Sequence, residues 1–335
     1  MDKKLAVILI GVIFLGIVGL GSIWFLRQQE QSSPEAPELK NITIQLKWQH
    51  QAQFAGLYAA QELGLYQQRG LQVTLRNGGP NIPPIPAVAS GEAQFGVAGA
   101  DDVLVAVANG EPVQALAAIS QESPVVYFAL EDSNIKTPYD FIGKKVGVRE
   151  GTGTYLTYIA MLNNLSIDRR KIEEVPAITS DITPLLNKEV DVLPGFRTNE
   201  PKIAQRMGYP VSIIKPEDYG VDIYADVLIT RKDMIARDLG LVNAFVQATL
   251  EGWEWAAEHQ QEATDMVMKY ATGTTREHQR DMLEETILLI KRTPTASIGQ
   301  MSFSKWNRTY TLLRQYGAIP HDIDVSKAYT IEFLK

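Results

Sequence analysis

GFRTNEP, residues 195–201, ends an apolar run, VDVLP, on the carboxylate of Glu200. Ligands of open α/β sheets sit beyond the carboxyl ends of strands, so Phe196 to Glu200 are expected at the rim of a cleft. A partly desolvated carboxylate there accepts hydrogen bonds from ligand N–H groups, each contributing on the order of 1.5–3 kcal/mol; Asn199 stands beside it as a second polar contact. The other duty open to Glu200 is to cap the helix that Pro201 begins. Trp48 follows an alternating strand where polar residues start. With Phe54 and Tyr58 it could stack a flat heteroaromatic ring, worth roughly 1–3 kcal/mol, although Tyr58 could equally be buried in its helix. His50, Gln51 and Gln53 are alternative polar contacts. In GVREGTGTY (147–155), Gly151, Thr152, Gly153 and Thr154 form a glycine-rich turn before a helix. Such a turn presents backbone N–H groups to a phosphate, a sulfonate or a carbonyl. It lacks the lysine of a nucleotide-binding P-loop, no GxGxxG is present, and a plain strand-to-helix turn is the alternative. Asp101 and Asp102 fall at a helix start; one is expected to cap, and Asp102 to reach the ligand. Adjacent residues point apart, so this pair does not make a hydrolase.

These residues need elements to hold them. Ile42, Ile44 and Leu46 alternate with polar residues and predict a strand. Phe54, Leu57, Tyr58 and Leu65 follow at helical spacing, with Gly64 near the helix end. LQVTL (71–75) predicts a strand, 83–90 a short helix, AQFGVAG (93–99) a strand, 101–109 a helix and VQALAAI (113–119) a strand. A second unit is expected from about residue 131, with GKKVGV (143–148) as strand and GTGTY opening a helix. VASGEAQFGVAG (88–99) and LLNKEVDVLPGF (185–196) align without gaps as helix end, glutamate, strand. Beyond Tyr224 the chain reads as helical, with Leu239, Val242, Val246, Leu250, Trp253 and Ala257 on one core face. Alternating strands and helices define the α/β class.

With 335 residues, 45% hydrophobic and 21% charged, the chain is globular and long enough for two lobes. A net charge of −7 with no basic stripe gives no reason to bind nucleic acid. The absence of cysteine excludes disulfides, thiolate metal sites and a lipoprotein anchor. His50, His259, His278 and His321 are scattered, so neither a metal nor any other cofactor is expected. Leu5 to Leu26 carries no charge and only Ser22 as a polar side chain. At about 1.5 Å per residue it can span a hydrocarbon layer of roughly 30 Å. Lys3 and Lys4 before it favour a cytoplasmic N-terminus and export of the remainder of the chain. Residues 1–27 are therefore expected to be one N-terminal transmembrane helix or a signal segment, cleavage after Gly19-Leu20-Gly21 being the competing reading. Residues 28–39 are expected to be a flexible linker.

LKWQHQAQFAGLYAAQELGLYQQRGLQV (46–73) resembles the opening of type II periplasmic substrate-binding proteins, in the branch of taurine and sulfonate receptors and thiamine-pyrimidine-precursor receptors. The likeness continues through NGGP (77–80), GEAQFGVAGADD (91–102) and SPVVYFALEDSNIKTPYDFIGKKVGV (123–148) to GFRTNEP, and covers roughly residues 40–230. It implies two α/β lobes with the ligand cleft between them, lobe one from 40–130 plus 226–335 and lobe two from 131–225, closing about a hinge. In pyrimidine-precursor receptors the glutamate matching Glu200 is understood to contact the pyrimidine. The resemblance thus implies an extracytoplasmic receptor of an ABC importer, monomeric and partnered by the permease. It would be held by its N-terminal helix at the outer face of a bacterial inner or plasma membrane, or be periplasmic if the segment is cleaved. A thiamine-pyrimidine precursor is the expected ligand, with sulfonate, taurine or a riboflavin-like ligand as alternatives, and sensing through a membrane signalling partner as a further one. Eukaryotic pyrimidine synthases share the fold, but they carry a histidine where this chain has Phe54, and a cysteine-rich motif that it lacks. An enzyme is not expected.

Overall fold

β1 (Lys40–Gln45) and β2 (Leu71–Arg76) are parallel neighbours joined through helix α1 (Ala55–Glu62). α2 (Pro84–Ala89), with a proline at its first position as helix starts favour, leads to β3 (Phe95–Gly99), α3 (Ala100–Ala108) and β4 (Val113–Ala118). β5 (Val125–Leu130), β6 (Lys145–Val148), α4 (Gly153–Asn164), β7 (Glu173–Pro176), α5 (Thr183–Leu186), β8 (Leu193–Phe196), α6 (Glu200–Arg206) and β9 (Val211–Ile214) follow. After β10 (Asp226–Arg231) the chain is helical: α7 (Lys232–Arg237), α8 (Leu239–Glu258), α9 (Gln260–Val267), α10 (Arg276–Ile290) and α11 (Phe303–Gln315). This computed structural model describes residues 39–335 apart from Pro80, 177–180, Arg292, Pro294 and Lys335. The membrane-spanning helix expected at Leu5 to Leu26 and the linker lie outside the described residues; among these, no helix is long and apolar enough to cross a membrane.

Lys40–Lys335 form one compact unit built on two sheets. The first has the order β2-β1-β3-β10-β4, in which β10 runs antiparallel to both neighbours and pairs Asp226 with Gly99. The second has β5 at its centre between β8 and β9, both antiparallel to it, and the β6–β7 pair joins it by a bridge from Val146 to Val192. The chain thus leaves the first sheet between Ala118 and Val125, ahead of the boundary expected at residue 131. VVYFAL is buried almost throughout, as a central strand requires, and its partners all belong to the second sheet.

Helices cover both faces of the first sheet. On one face Phe54, Tyr58, Phe95, Phe245 and Trp253 share a core, with the Phe95 and Phe245 rings stacked 3.8 Å apart. On the other, Leu104, Ile229 and Trp306 pack together. Each such side chain contributes roughly 1.5–3 kcal/mol by leaving water. α1 and α8 cross at glycines: a Cβ on Gly252 would lie 2.3 Å from the Gly56 carbonyl oxygen and 2.8 Å from the Ala60 Cβ. The two backbones therefore touch where no side chain intervenes.

Candidate ligand-binding site

On the first lobe, β1 delivers Lys47 and Trp48, and β3 delivers Asp101 and Asp102. Because β10 is antiparallel, its first residue, Asp226, lies at the same sheet edge as the carboxyl end of β3. Lys47 Nζ meets Asp226 Oδ1 at 3.2 Å, and Gln53 Nε2 donates to Asp226 Oδ2 at 2.7 Å. Gln51 in turn donates to Gln53 at 2.7 Å. Burial pulls the Lys47 ammonium down, but the carboxylates of Asp226, Asp102 and Asp101 outweigh it and hold it above its usual range. Burial, then the neighbouring Asp102, push the Asp101 carboxyl up to about 6 against the pull of Lys47. Asp102 Oδ2 accepts from the Gly99 N–H at 3.3 Å, a helix-start duty, while its side chain stays exposed.

The second lobe contributes two strand ends. Beyond β6, Gly151 turns in the left-handed region at φ 76°, and Thr152 caps α4 by accepting from the Tyr155 N–H at 3.3 Å. Gly153 and Thr154 open that helix, and the Thr154 carbonyl accepts from the Tyr127 hydroxyl at 2.7 Å. A Cβ on Gly153 would lie 2.5 Å from Asp101 Oδ2, so the first lobe's carboxylate meets the N-terminus of α4. Negative charge is favoured there. Gly153→Ala, at the first position of α4, gains at most the interior propensity of about 1 kcal/mol, yet displaces this carboxylate. The expected result is an unchanged or raised melting temperature with ligand affinity lower by roughly threefold to tenfold. Calorimetric titration reads it, and unchanged affinity would remove the lobe contact from the binding process.

Beyond β8, Glu200 is 1% exposed. Its Oε2 accepts from the Phe196 N–H at 2.8 Å, and its Oε1 stands 3.7 Å from Arg149 Nη2. Burial raises its pKa, opposed by the N–H groups of Phe196 and Glu200 and by Arg149. Asn199, half-buried, precedes α6 without a side-chain cap bond. Glu200 therefore braces the turn between β8 and α6 rather than capping a free helix end.

Two expected contacts move to the core. Phe54 is 1% exposed and Tyr58 is fully buried, so neither ring is open to a ligand. Their spacing turns them inward: the Tyr58 ring stacks on Tyr270 at 4.4 Å and its hydroxyl bonds His50 Nδ1 at 3.0 Å. Trp48 remains 38% exposed, as does Phe196 at the end of β8. Lys47, Asp226 and Arg149 escaped sequence reasoning; a lone basic residue after each of two strands was the only sign of Lys47 and Arg149, and nothing local marked Asp226. Of two open hollows, one of about 550 Å³ is lined by Glu122, Arg197 and Glu217 among others, and one of about 470 Å³ by His50, Gln51, Arg206 and His278 among others.

The fold is that of periplasmic binding proteins: the periplasmic aliphatic sulphonate binding protein SsuA of Escherichia coli superposes with a TM-score of 0.70 at 16% identity, covering 87% of this chain and 92% of that one. The NMT1/THI5-like family matches residues 51–263, more than half of the chain, and the chain belongs to it. The riboflavin-binding protein RibY of Chloroflexus aurantiacus is 24% identical over 89% of this chain and 87% of its own length. The formylaminopyrimidine-binding protein of Halalkalibacterium halodurans is 22% identical over 90% and 93%. A protein of Legionella pneumophila named 4-amino-5-hydroxymethyl-2-methylpyrimidine phosphate synthase is 22% identical over 88% and 92%.

Proposed function

We propose that the chain is an extracytoplasmic solute receptor of an ABC importer. It takes an amine-bearing pyrimidine of the thiamine-precursor type between its lobes and presents the closed form to the permease. The observation that carries this reading is the charge of the lobe junction. Lys47 is matched by Asp226 and Arg149 by Glu200, while Asp101 and Asp102 add two further carboxylates. Such a site repels a sulfonate and favours ligand N–H donors. Trp48 supplies the ring face, and Phe196 a second one from the other lobe. Phe54, buried in the core, stands where the eukaryotic pyrimidine synthases are understood to carry their histidine, which favours binding over catalysis. A riboflavin-like ligand is the second reading, favoured by the likeness to RibY and by hydroxyl donors that would suit the same carboxylates.

A thermal-shift panel on the full chain tests this with aminomethyl- and formylamino-pyrimidines, thiamine, riboflavin, taurine and alkanesulfonates. A pyrimidine at 100 times its dissociation constant is expected to stabilise the fold by about 2.7 kcal/mol, and sulfonates to leave the melt unchanged. Trp48→Ala should weaken pyrimidine binding by about 1–3 kcal/mol. A shift with taurine or alkanesulfonates alone would overturn the pyrimidine reading.

A further inference from the structure

α6, which carries Glu200 at its first residue, lies against α10 of the other lobe along a row of charges. Lys202 Nζ meets Glu285 Oε1 at 2.6 Å and Arg206 Nη1 meets Asp281 Oδ2 at 2.9 Å. Arg206 Nη2 also reaches His278 Nδ1 at 2.5 Å, and burial and then Arg206 hold that imidazole below its usual pKa, as suits a neutral acceptor. Arg197, just before α6, approaches Glu285 Oε2 at 3.2 Å, Glu122 Oε2 at 3.5 Å and Glu217 Oε1 at 3.8 Å. The spacing suits helices packed side by side. Lys202 and Arg206 are one turn apart on α6, and His278, Asp281 and Glu285 recur at i, i+3 and i+7 on α10. Cations thus lie on one lobe and acids mostly on the other.

α10 itself is fixed to the first lobe. Met282, Leu283 and Ile290 belong to the core beneath α1, and Gln279 Oε1 accepts from the Ala52 N–H at 2.6 Å. Ala52 neighbours Gln51 and Gln53, the pair that leads to Asp226. Most of the charged groups in the seam are only partly exposed: the Arg197 side chain is 10% exposed, and those of Asp281 and Glu285 are 18% and 20%. Their attraction is therefore screened less than that of surface pairs.

We propose that Glu285 and Asp281 are positioning residues. Through Arg197, Lys202 and Arg206 they draw α6, and with it Glu200, across the cleft, so that charge pairs remote from the ligand set the binding geometry. This rests on a ligand held between the lobes, and not on which ligand it is.

The test reads lobe separation directly. The chain has no cysteine, so Ile82→Cys and Tyr139→Cys, at exposed positions on the two lobes, accept a dye pair for energy transfer without further change. In the ligand-free labelled chain, Arg206→Glu or Asp281→Lys alone is expected to shift the transfer efficiency, and the double reversal to return it towards the starting value. Raising salt from 50 mM to 1 M should move the unsubstituted seam in the same direction as the single reversals. With the aminomethyl-pyrimidine as probe, the single reversals should raise the dissociation constant by about tenfold, within the usual range of coupling between remote groups. Single reversals that leave transfer unchanged, or a double reversal that stays displaced while circular dichroism shows an intact fold, would overturn the proposal. If the reversals do not fold, the salt response decides it, and a salt-independent efficiency overturns it. Failure of the probe to bind while transfer responds as expected would remove the pyrimidine reading and leave the seam standing.

Discussion

Glu200→Gln is expected to keep the fold and to lower the affinity for an amine-bearing pyrimidine by roughly tenfold. Glutamine has the length of glutamate, and its amide oxygen still accepts from the Phe196 N–H, the bond that measures 2.8 Å here. What disappears is the charge. At 1% exposure the carboxylate is closed to direct contact, as Phe54 is, so the loss reaches the ligand through the field of the site. Arg149, 3.7 Å away, also loses this nearby negative charge, which leaves the site more cationic and less suited to an amine. Glu200→Ala should differ by costing stability as well, because the part-buried Phe196 N–H then loses its acceptor, a loss of about 1 kcal/mol. Melting curves and isothermal titration of both variants separate the roles. A glutamine variant that binds like the parent would reduce Glu200 to a brace of the turn between β8 and α6.

Gly252→Ala is expected to destabilise the fold by about 1–3 kcal/mol through overpacking, even though alanine is the better helix former. The added carbon would sit 2.3 Å from the Gly56 carbonyl oxygen, a backbone atom that cannot swing aside as a side-chain tip can. Gly56→Ala meets the opposite partner, with its Cβ 2.2 Å from the Trp253 ring, and should be at least as costly. Both lie in the crossing of α1 with α8 and not on the strand ends that carry Glu200 and Arg149. Affinity measured well below the melting transition should therefore stay close to the parent value. Chemical denaturation checks the stability change, and a midpoint equal to the parent's would mean that α1 and α8 separate without cost.

The two glycines show what a sequence can and cannot disclose. The strand of Ile42, Ile44 and Leu46, the helix after Phe54 and the long helix through Val242, Val246 and Trp253 were legible, because burial imposes its period on each segment separately. The paired segments 88–99 and 185–196 likewise each prove to be a short helix followed by a strand, α2 with β3 and α5 with β8. Direction was harder. Phe54 and Tyr58 have the chemistry of a stacking pair and the spacing of a buried stripe, and what turned them inward is Tyr270 and α8, some 200 residues away. Glu200 was legible as a misplaced charge, since an apolar strand ending on a carboxylate needs a reason. Asp226 gave no such sign: it faces Lys47 because β10 inserts antiparallel beside β3, and pairing of that kind is set by the whole sheet. The seam between α6 and α10 was missed for the same reason. Its charges look like solvated faces until the two helices lie side by side.

The placement of β10 has a consequence for how the protein is made. It lies between β3 and β4, yet it enters the sequence only at Asp226, after the whole second sheet. Until it arrives, β3 and β4 face each other across a gap one strand wide, with unpaired backbone groups on both sides. The first sheet therefore lacks a central strand until the chain from Asp226 onward is present, whereas every strand of the second sheet lies within residues 125–214. Of the two sheets, the first is thus the last to have all its strands in sequence order. Closing contacts of such long sequence separation is slow. A chain cut before Asp226 would lose a central strand rather than a tail, and would expose two aggregation-prone edges in its place.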